Sequence, residues 1–475
     1  MSRVPARSLE RWAFGLFALA AVAAWALVPT YPDYDAYHHL NWGRGVLESV
    51  TPGFEEYAAP TPHPLYLAIA TLLSLAGDGA DRLLVLFTVL SLVALTAATY
   101  ALGRALFGRP AGAAAAVFVG SSFAFALYAV RAFVDVPFLA LVVWAAAPEA
   151  ARPRRGLAPM LLLAIAGLLR PEAWVLAGLY WLWCLPDRST RSRVVLLGLA
   201  AVAPVCWALL DLAVTGDPLF SLNNTGDLAR ELERERGIEN VPSSFVTFLA
   251  DVARPPVALA GVIGLVLAWR QYGPRRLVVP LALLGAGALT FVGTGIAGLS
   301  IIPRYLTVPA IALCVLAGYA VMRFTTLEAG PERELWRKAA VGALVVGIAF
   351  LAVKASSFER LRDELRFIER THEELSGLLA EPEVAAALRR CDGAITFPTY
   401  RLVPDTRWIL DETGTAGARS RAERAGKGTI DVYIAGDEKF ERRFGRADGV
   451  DRATNEPLAR SADVRRGPFA VYVGC

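Results

Sequence analysis

In 31-YPDYDAYHHLNWGRG-45 two carboxylates, Asp33 and Asp35, stand two residues apart among aromatic side chains, directly after an apolar run. A carboxylate beside a hydroxyl can take its proton as that oxygen attacks, which is general-base work. Farther on, 131-RAFVD-135 sets Arg131 near Asp135, 170-RPE-172 joins Arg170 to Glu172, and Arg304 precedes Tyr305 in 303-PRY-305. Arginine can hold phosphate oxygens through parallel N–H donors. Acids that move a proton and arginines that neutralise a departing phosphate are the parts of a group transfer with a phosphate leaving group. The sequence has no P-loop or dinucleotide fingerprint, no Cys/His metal spacing, and no feature calling for a nucleic-acid partner.

The elements that must position these residues are membrane helices. The 475 residues are 55% hydrophobic and only 19% charged, and mean hydropathy is +0.44. Apolar runs near the ~20 residues needed to cross a bilayer recur through the first three quarters of the chain. The run Trp12 to Val28 follows Arg3, Arg7 and Arg11 and lacks a small-x-small cleavage site, so it reads as a retained anchor. Basic clusters in short loops set orientation. Placing them all in the cytoplasm predicts spans at 12–29, 82–103, 111–129, 134–148, 157–169, 172–186, 194–214, 255–270, 277–297, 302–322 and 338–354. The run 64–77, bracketed by Pro64 and 77-GDGAD-81, then reads as a short re-entrant or juxtamembrane element. The expected fold is an α-helical polytopic membrane protein of about eleven spans in the plasma membrane, with its N-terminus cytoplasmic and a small extracytoplasmic α/β C-terminal domain.

On this topology the unusual residues gather on the outer face. Asp33, Asp35, Glu48, Glu55 and Glu56 fall in the outer loop 30–62, Arg131/Asp135 and Arg170/Glu172 in outer turns, and 215-TGDPLFSLNNTG-226 in the outer loop 215–254. Intramembrane ionisable groups are functional candidates by default, whereas a transporter would be expected to place them near the midplane. The pattern suits a cavity at the outer leaflet, where a lipid-linked substrate presents its head group. The spans 157–169 and 172–186 are short, so Arg170-Pro171-Glu172 could lie inside such a cavity or form a solvated hairpin turn.

The ordered set resembles the GT-C superfamily of polyprenyl-phosphate-sugar-dependent glycosyltransferases, notably the protein O-mannosyltransferase and aminoarabinose-transferase-like group. It comprises the acidic first loop, His63-Pro64-Leu65, the Arg…Asp turn at 131–135, LLRPE at 168–172, the TGDP loop and the PRY helix start. The resemblance covers roughly residues 10–325. It implies transfer, with inversion, of a hexosyl or pentosyl unit from a polyprenyl-phosphate carrier to an extracytoplasmic glycan, protein or lipid acceptor. By carry-over the first-loop acid corresponds to Asp35 or Asp33, Asp35 ranking first, and the second acid to Asp135. Arg131 and Arg304, then Arg170, are candidates for the carrier phosphate, with Tyr305, Glu172 and His63 as further substrate contacts. No cofactor is required, although His38, His39, Asp33 and Asp35 could hold a divalent cation, since some members use one and others do not. Each candidate also has a structural reading: Asp33 and Asp135 could cap helices, Arg304 could snorkel to lipid head groups, and His38 and His39 could be interfacial surface.

The tail 355–475 is charged and polar. It predicts a helix over 358–380, a second over 383–391, strands at 394–398, 430–435 and 469–474, and a flexible surface loop at 414–428. Cys184, Cys206 and Cys314 fall within apolar spans, which leaves Cys391 and Cys475 to form a bridge if the tail is outside. The competing readings are a transporter or flippase of a lipid-linked glycan, and a scaffold whose outer domain does the work.

Overall fold

The computed structural model describes residues 6–353, 355–391, 395–411, 417–423, 429–445, 455 and 461–474. In chain order the helices begin with α1 (Ala6–Leu27), α2 (Tyr34–Leu47), α3 (Pro64–Ser74), α4 (Ala80–Phe107), α5 (Arg109–Gly120) and α6 (Phe123–Val130). Next come α7 (Asp135–Ala151), α8 (Leu157–Gly167), α9 (Glu172–Cys184), α10 (Thr190–Thr215), α11 (Phe220–Glu231) and α12 (Val241–Ala253). Then follow α13 (Pro255–Tyr272), α14 (Val278–Ile296), α15 (Thr307–Met322) and α16 (Pro331–Val353). The tail adds α17 (Ala355–Ala380), α18 (Pro382–Arg390), α19 (Val403–Ile409), β1 (Ile395–Phe397), β2 (Ala418–Ser420), β3 (Ile430–Ile434), β4 (Val464–Arg466) and β5 (Phe469–Val473).

Helices prevail because a backbone in hydrocarbon must satisfy its own hydrogen bonds. Among the described residues five helices are long and apolar enough to cross a bilayer, or seven if two pairs bent by 57° and 101° each count as one span. The protein is a multi-pass membrane protein, but length does not supply the eleven crossings expected from charge. α8 and α9 have 11 and 13 residues, which at 1.5 Å per residue is well short of a ~30 Å hydrocarbon core. α3 also has 11 residues, in keeping with a short element at 64–77.

Two units can be described separately. The first comprises 1–29, 85–207 and 236–363. Its centre is α15, buried from Thr307 to Ala320 and packed by α13, α5 and α14. Gly264 of α13 lies so close that a Cβ there would strike the Leu316 carbonyl.

The second unit comprises 30–84, 208–235 and 364–475. It contains a five-stranded sheet ordered β2-β1-β3-β5-β4. β1 pairs parallel with β2 and β3, and β5 pairs antiparallel with β3 and β4. Phe367, Leu375 and Leu378 of α17 and Val384 of α18 join Ile395, Val432 and Val471 in one apolar core. The three expected strands are present. The expected loop at 414–428 is corrected in part, because 418–420 is β2: Ala418-Arg419-Ser420 is too short to show alternation and is held by pairing to β1. Residues 412–416 and 424–428 lie outside the described residues, as does Cys475, the expected partner of Cys391.

Candidate active site

In the first unit the turn before α7 carries strain. Ala132 adopts φ 58°, a left-handed conformation costing a non-glycine residue roughly 1–2 kcal/mol. The turn delivers Asp135 into the first turn of α7, where the helix dipole favours a carboxylate. The α8–α9 turn is fixed from both sides, since the indoles of Trp174 and Trp207 each donate to the Gly167 carbonyl at 3.1 Å. Arg170, three residues beyond Gly167, is thereby aimed inward.

These turns bring Asp135, Arg170, Glu172 and Arg304 together. Asp135 is 0% exposed, Arg170 6% and Glu172 9%. Arg170 Nη1 donates to Asp135 Oδ1, while its Nε donates to Glu172 Oε1 at 2.9 Å. Arg304 Nη1 lies 3.5 Å from Asp135 Oδ2, and the Arg304 side chain is 25% exposed. The Arg170 guanidinium sits 5.4 Å from the Tyr305 ring, and that of Arg304 5.1 Å from the Phe133 ring. Glu172 Oε2 is buried with no hydrogen-bond partner among the described residues. It faces a small cavity also lined by Arg304, Tyr305 and Thr307. Leu176 and Ala286 line both this cavity and an apolar one of about 530 Å³. Two carboxylates and two guanidiniums thus meet at one buried place. Arg170 is pinned between two carboxylates, while Arg304 approaches Asp135 at a longer distance and stays partly exposed. Arg131 is half-buried at the C-cap of α6.

The second unit holds the other acids. Asp33 is the N-cap of α2, its Oδ1 accepting the Ala36 N–H at 3.0 Å, so its capping reading is the observed one. Asp35 is half-buried in the first turn. His39 Nδ1 donates to the Asp35 carbonyl at 2.7 Å, and its Nε2 accepts the His63 N–H at 3.1 Å. The ring therefore ties α2 to the N-cap of α3, where His63 sits. Burial pushes the His39 pKa down to about 4, against a smaller opposing effect of the Asp35 carbonyl. Burial also lowers His38 well below its ordinary value, helped by Arg407 and His39. Interfacial surface is thus the wrong reading for these histidines, which are 2% and 0% exposed. The proposed cation set of His38, His39, Asp33 and Asp35 is likewise corrected. Among the described residues no three His, Cys, Asp or Glu side chains are grouped to hold a metal ion, and both His39 nitrogens are committed.

The sequence reading missed the partners that the tail contributes to the loop after α2. Arg407, buried in α19, pairs with Glu56, 351 positions away in the chain, and no local pattern announces such a pair.

No family model matches the chain, and no curated protein does. Among solved structures, ArnT from Cupriavidus metallidurans bound to undecaprenyl phosphate is similar over 98% of both chains, at 15% identity and TM-score 0.59. Its apo state is similar over 98% of both chains at 14% identity and TM-score 0.58. The chain therefore shares the fold of the ArnT structures. The archaeal oligosaccharyltransferase AglB from Archaeoglobus fulgidus is also similar, at 12% identity and TM-score 0.49, over 86% of this chain and 64% of its own. The likeness of fold extends through the tail and beyond residues 10–325, because the ArnT similarity spans nearly the full chain.

Proposed function

We propose that the chain is an integral-membrane glycosyltransferase that moves a sugar from a polyprenyl-phosphate carrier to an extracytoplasmic acceptor, with inversion. The observation that carries the reading is Arg304. It is partly exposed, held 3.5 Å from a buried carboxylate, and lines a cavity that adjoins an apolar one. A phosphate on an isoprenoid chain fits that combination of charge and apolar wall. The ArnT structure of the same fold is described as bound to undecaprenyl phosphate, which supports the same class of carrier here.

In this mechanism Asp35 takes the proton of the acceptor hydroxyl. The freed oxygen attacks the anomeric carbon, the bond from that carbon to the phosphate oxygen breaks, and the carrier phosphate departs with the electron pair. Arg304, with Arg131 and Tyr305, neutralises the charge developing on the leaving group. Asp135 is fully buried between two arginines, so we assign it with Arg170 and Glu172 to holding Arg304 in place and not to proton transfer. Asp33 keeps its cap, and His63 sets the start of α3. The N-terminus is taken as cytoplasmic and the tail as extracytoplasmic, with a Cys391–Cys475 bridge.

The test is incubation of the purified chain with a panel of polyprenyl-phosphate sugars and candidate acceptors, followed by product mass. Transfer by the wild type and none by Asp35→Asn, with the variant folded and inserted, supports the reading. Transfer retained in Asp35→Asn removes the general-base role.

A further inference from the structure

The second unit contains a feature that the transfer chemistry does not require. α2 is buried from Ala36 to Gly45, and much of what covers it comes from the tail. Asn41 Nδ2 donates to the Pro404 carbonyl at 2.8 Å. Arg44 Nη1 donates to the Trp408 carbonyl at 3.3 Å, and its guanidinium lies 3.8 Å from the Trp408 ring centroid. Arg407 holds the adjoining loop: Nε and Nη2 donate to the Ala418 carbonyl of β2 at 3.1 and 2.9 Å, and Nη1 pairs with Glu56.

The N-terminal turn of α2 is gripped as well. The Tyr34 hydroxyl donates to the Ala58 carbonyl at 2.8 Å, in the loop that Glu56 anchors, and its ring meets Tyr400 edge-on at 5.2 Å. Asp35 is the next residue. On the opposite side Gly43 lets α3 approach so closely that a Cβ would stand 2.6 Å from the Thr71 nitrogen. α2 therefore cannot slide toward α3, and its two ends are fixed by residues more than three hundred positions away.

We propose that the tail is a positioning element for α2, with Arg44 and Arg407 as positioning residues that hold Asp35 at its working place. This rests on the reading of Asp35 as the base. A tail that only recognised acceptor would leave α2 held by its own neighbours. The contacts instead run from α19 into the C-terminal half of the helix and, through Arg407, into the loop that follows, while Tyr400 meets the N-terminal turn. Misplacing a reacting group by about 1 Å can cost roughly a hundredfold in rate.

The experiment uses the full chain with Arg44→Met, which keeps the stem but removes the cation and its hydrogen bond. Arg44 Nη1 also pairs with Asp411 at 2.5 Å, and the Asp411 side chain is 75% exposed, so the carboxylate it releases is solvated; a melt of the variant checks that it folds. Positioning predicts kcat lower by about a hundredfold with KM for donor and acceptor within about twofold. It also predicts faster amide exchange across 34–47, with unchanged exchange across 364–390. Arg407→Lys, which retains the charge near Glu56, is expected to fall between the two. A raised acceptor KM at unchanged kcat overturns the proposal, and so does unchanged exchange across 34–47. Activity retained in Asp35→Asn fails the base reading instead, while the exchange result still decides whether the tail holds α2.

Discussion

Glutamine at Arg304 and, separately, at Arg170 distinguishes an arginine that binds the carrier from one that holds the site together. The Arg170 side chain is 7% exposed and sits against Asp135 and Glu172, at 1% and 9%. Removing its charge leaves Glu172 without its cation and Asp135 with a single contact at 3.5 Å. Breaking a buried pair by deleting one partner costs about 3–5 kcal/mol. Arg304 lies 3.5 Å from Asp135 and its side chain is 25% exposed, so Arg304→Gln is expected to cost less stability, about 1 kcal/mol. Its loss should fall on the carrier instead. A hydrogen bond to a charged group contributes roughly 1.5–3 kcal/mol, which is about a 10- to 150-fold weaker affinity. Titration of detergent-solubilised protein with a polyprenyl phosphate, alongside thermal unfolding of the same samples, reads both quantities. The reasoning is refuted if Arg304→Gln binds the carrier as tightly as the wild type. It is equally refuted if Arg170→Gln keeps full stability while losing the carrier.

Asp33→Ala should remove the α2 cap and lower stability by about 1 kcal/mol, with transfer retained, whereas Asp35→Asn should leave stability near wild type and abolish transfer; parallel melts and assays check both. His39 is buried neutral with its pKa near 4, below an unfolded value of about 6.5. Its contribution is present above about pH 6.5 and is lost as pH falls toward 4, by about 3 kcal/mol. A melt series in His39→Asn should show a smaller acid-side loss. His372 has the opposite sign: burial lowers its pKa, but the hydrogen bond and charge of Asp405, 2.8 Å away, outweigh this and raise it. Its contribution is complete below about pH 6.5 and is lost as pH rises through the raised value, so Asp405→Asn should flatten the alkaline side of the melt profile. Thiol counting on the denatured, unreduced chain should find three reactive cysteines of the five if Cys391 and Cys475 are bridged, and five if they are not.

What the sequence made legible was set by local chemistry. Tyr34 starts α2 because an acid cap precedes it, and β1, β3 and β5 are apolar runs bounded by turn residues. The charges in the 131–135 and 170–172 turns stood out because ionisable groups are rare at that depth, and in the first unit Asp135 meets both Arg170 and Arg304. The span count was harder to read. α8 and α9 are apolar but short, and a composition rule counts them without measuring them. The capping role of Asp33 required its hydrogen bond to the Ala36 N–H to be seen. β2 and the Glu56–Arg407 pair depend on residues brought together from distant parts of the chain, so no window of sequence contains them.

The central claim is tested most directly by the mass of the carrier lipid itself. The chain, reconstituted in vesicles, is incubated with a polyprenyl-phosphate sugar and its acceptor. The account predicts bare polyprenyl phosphate, with the sugar on the acceptor in inverted anomeric configuration, and no such conversion by Asp35→Asn. Intact sugar-carrier recovered from the opposite leaflet, with no bare carrier formed, would contradict it and identify a flippase.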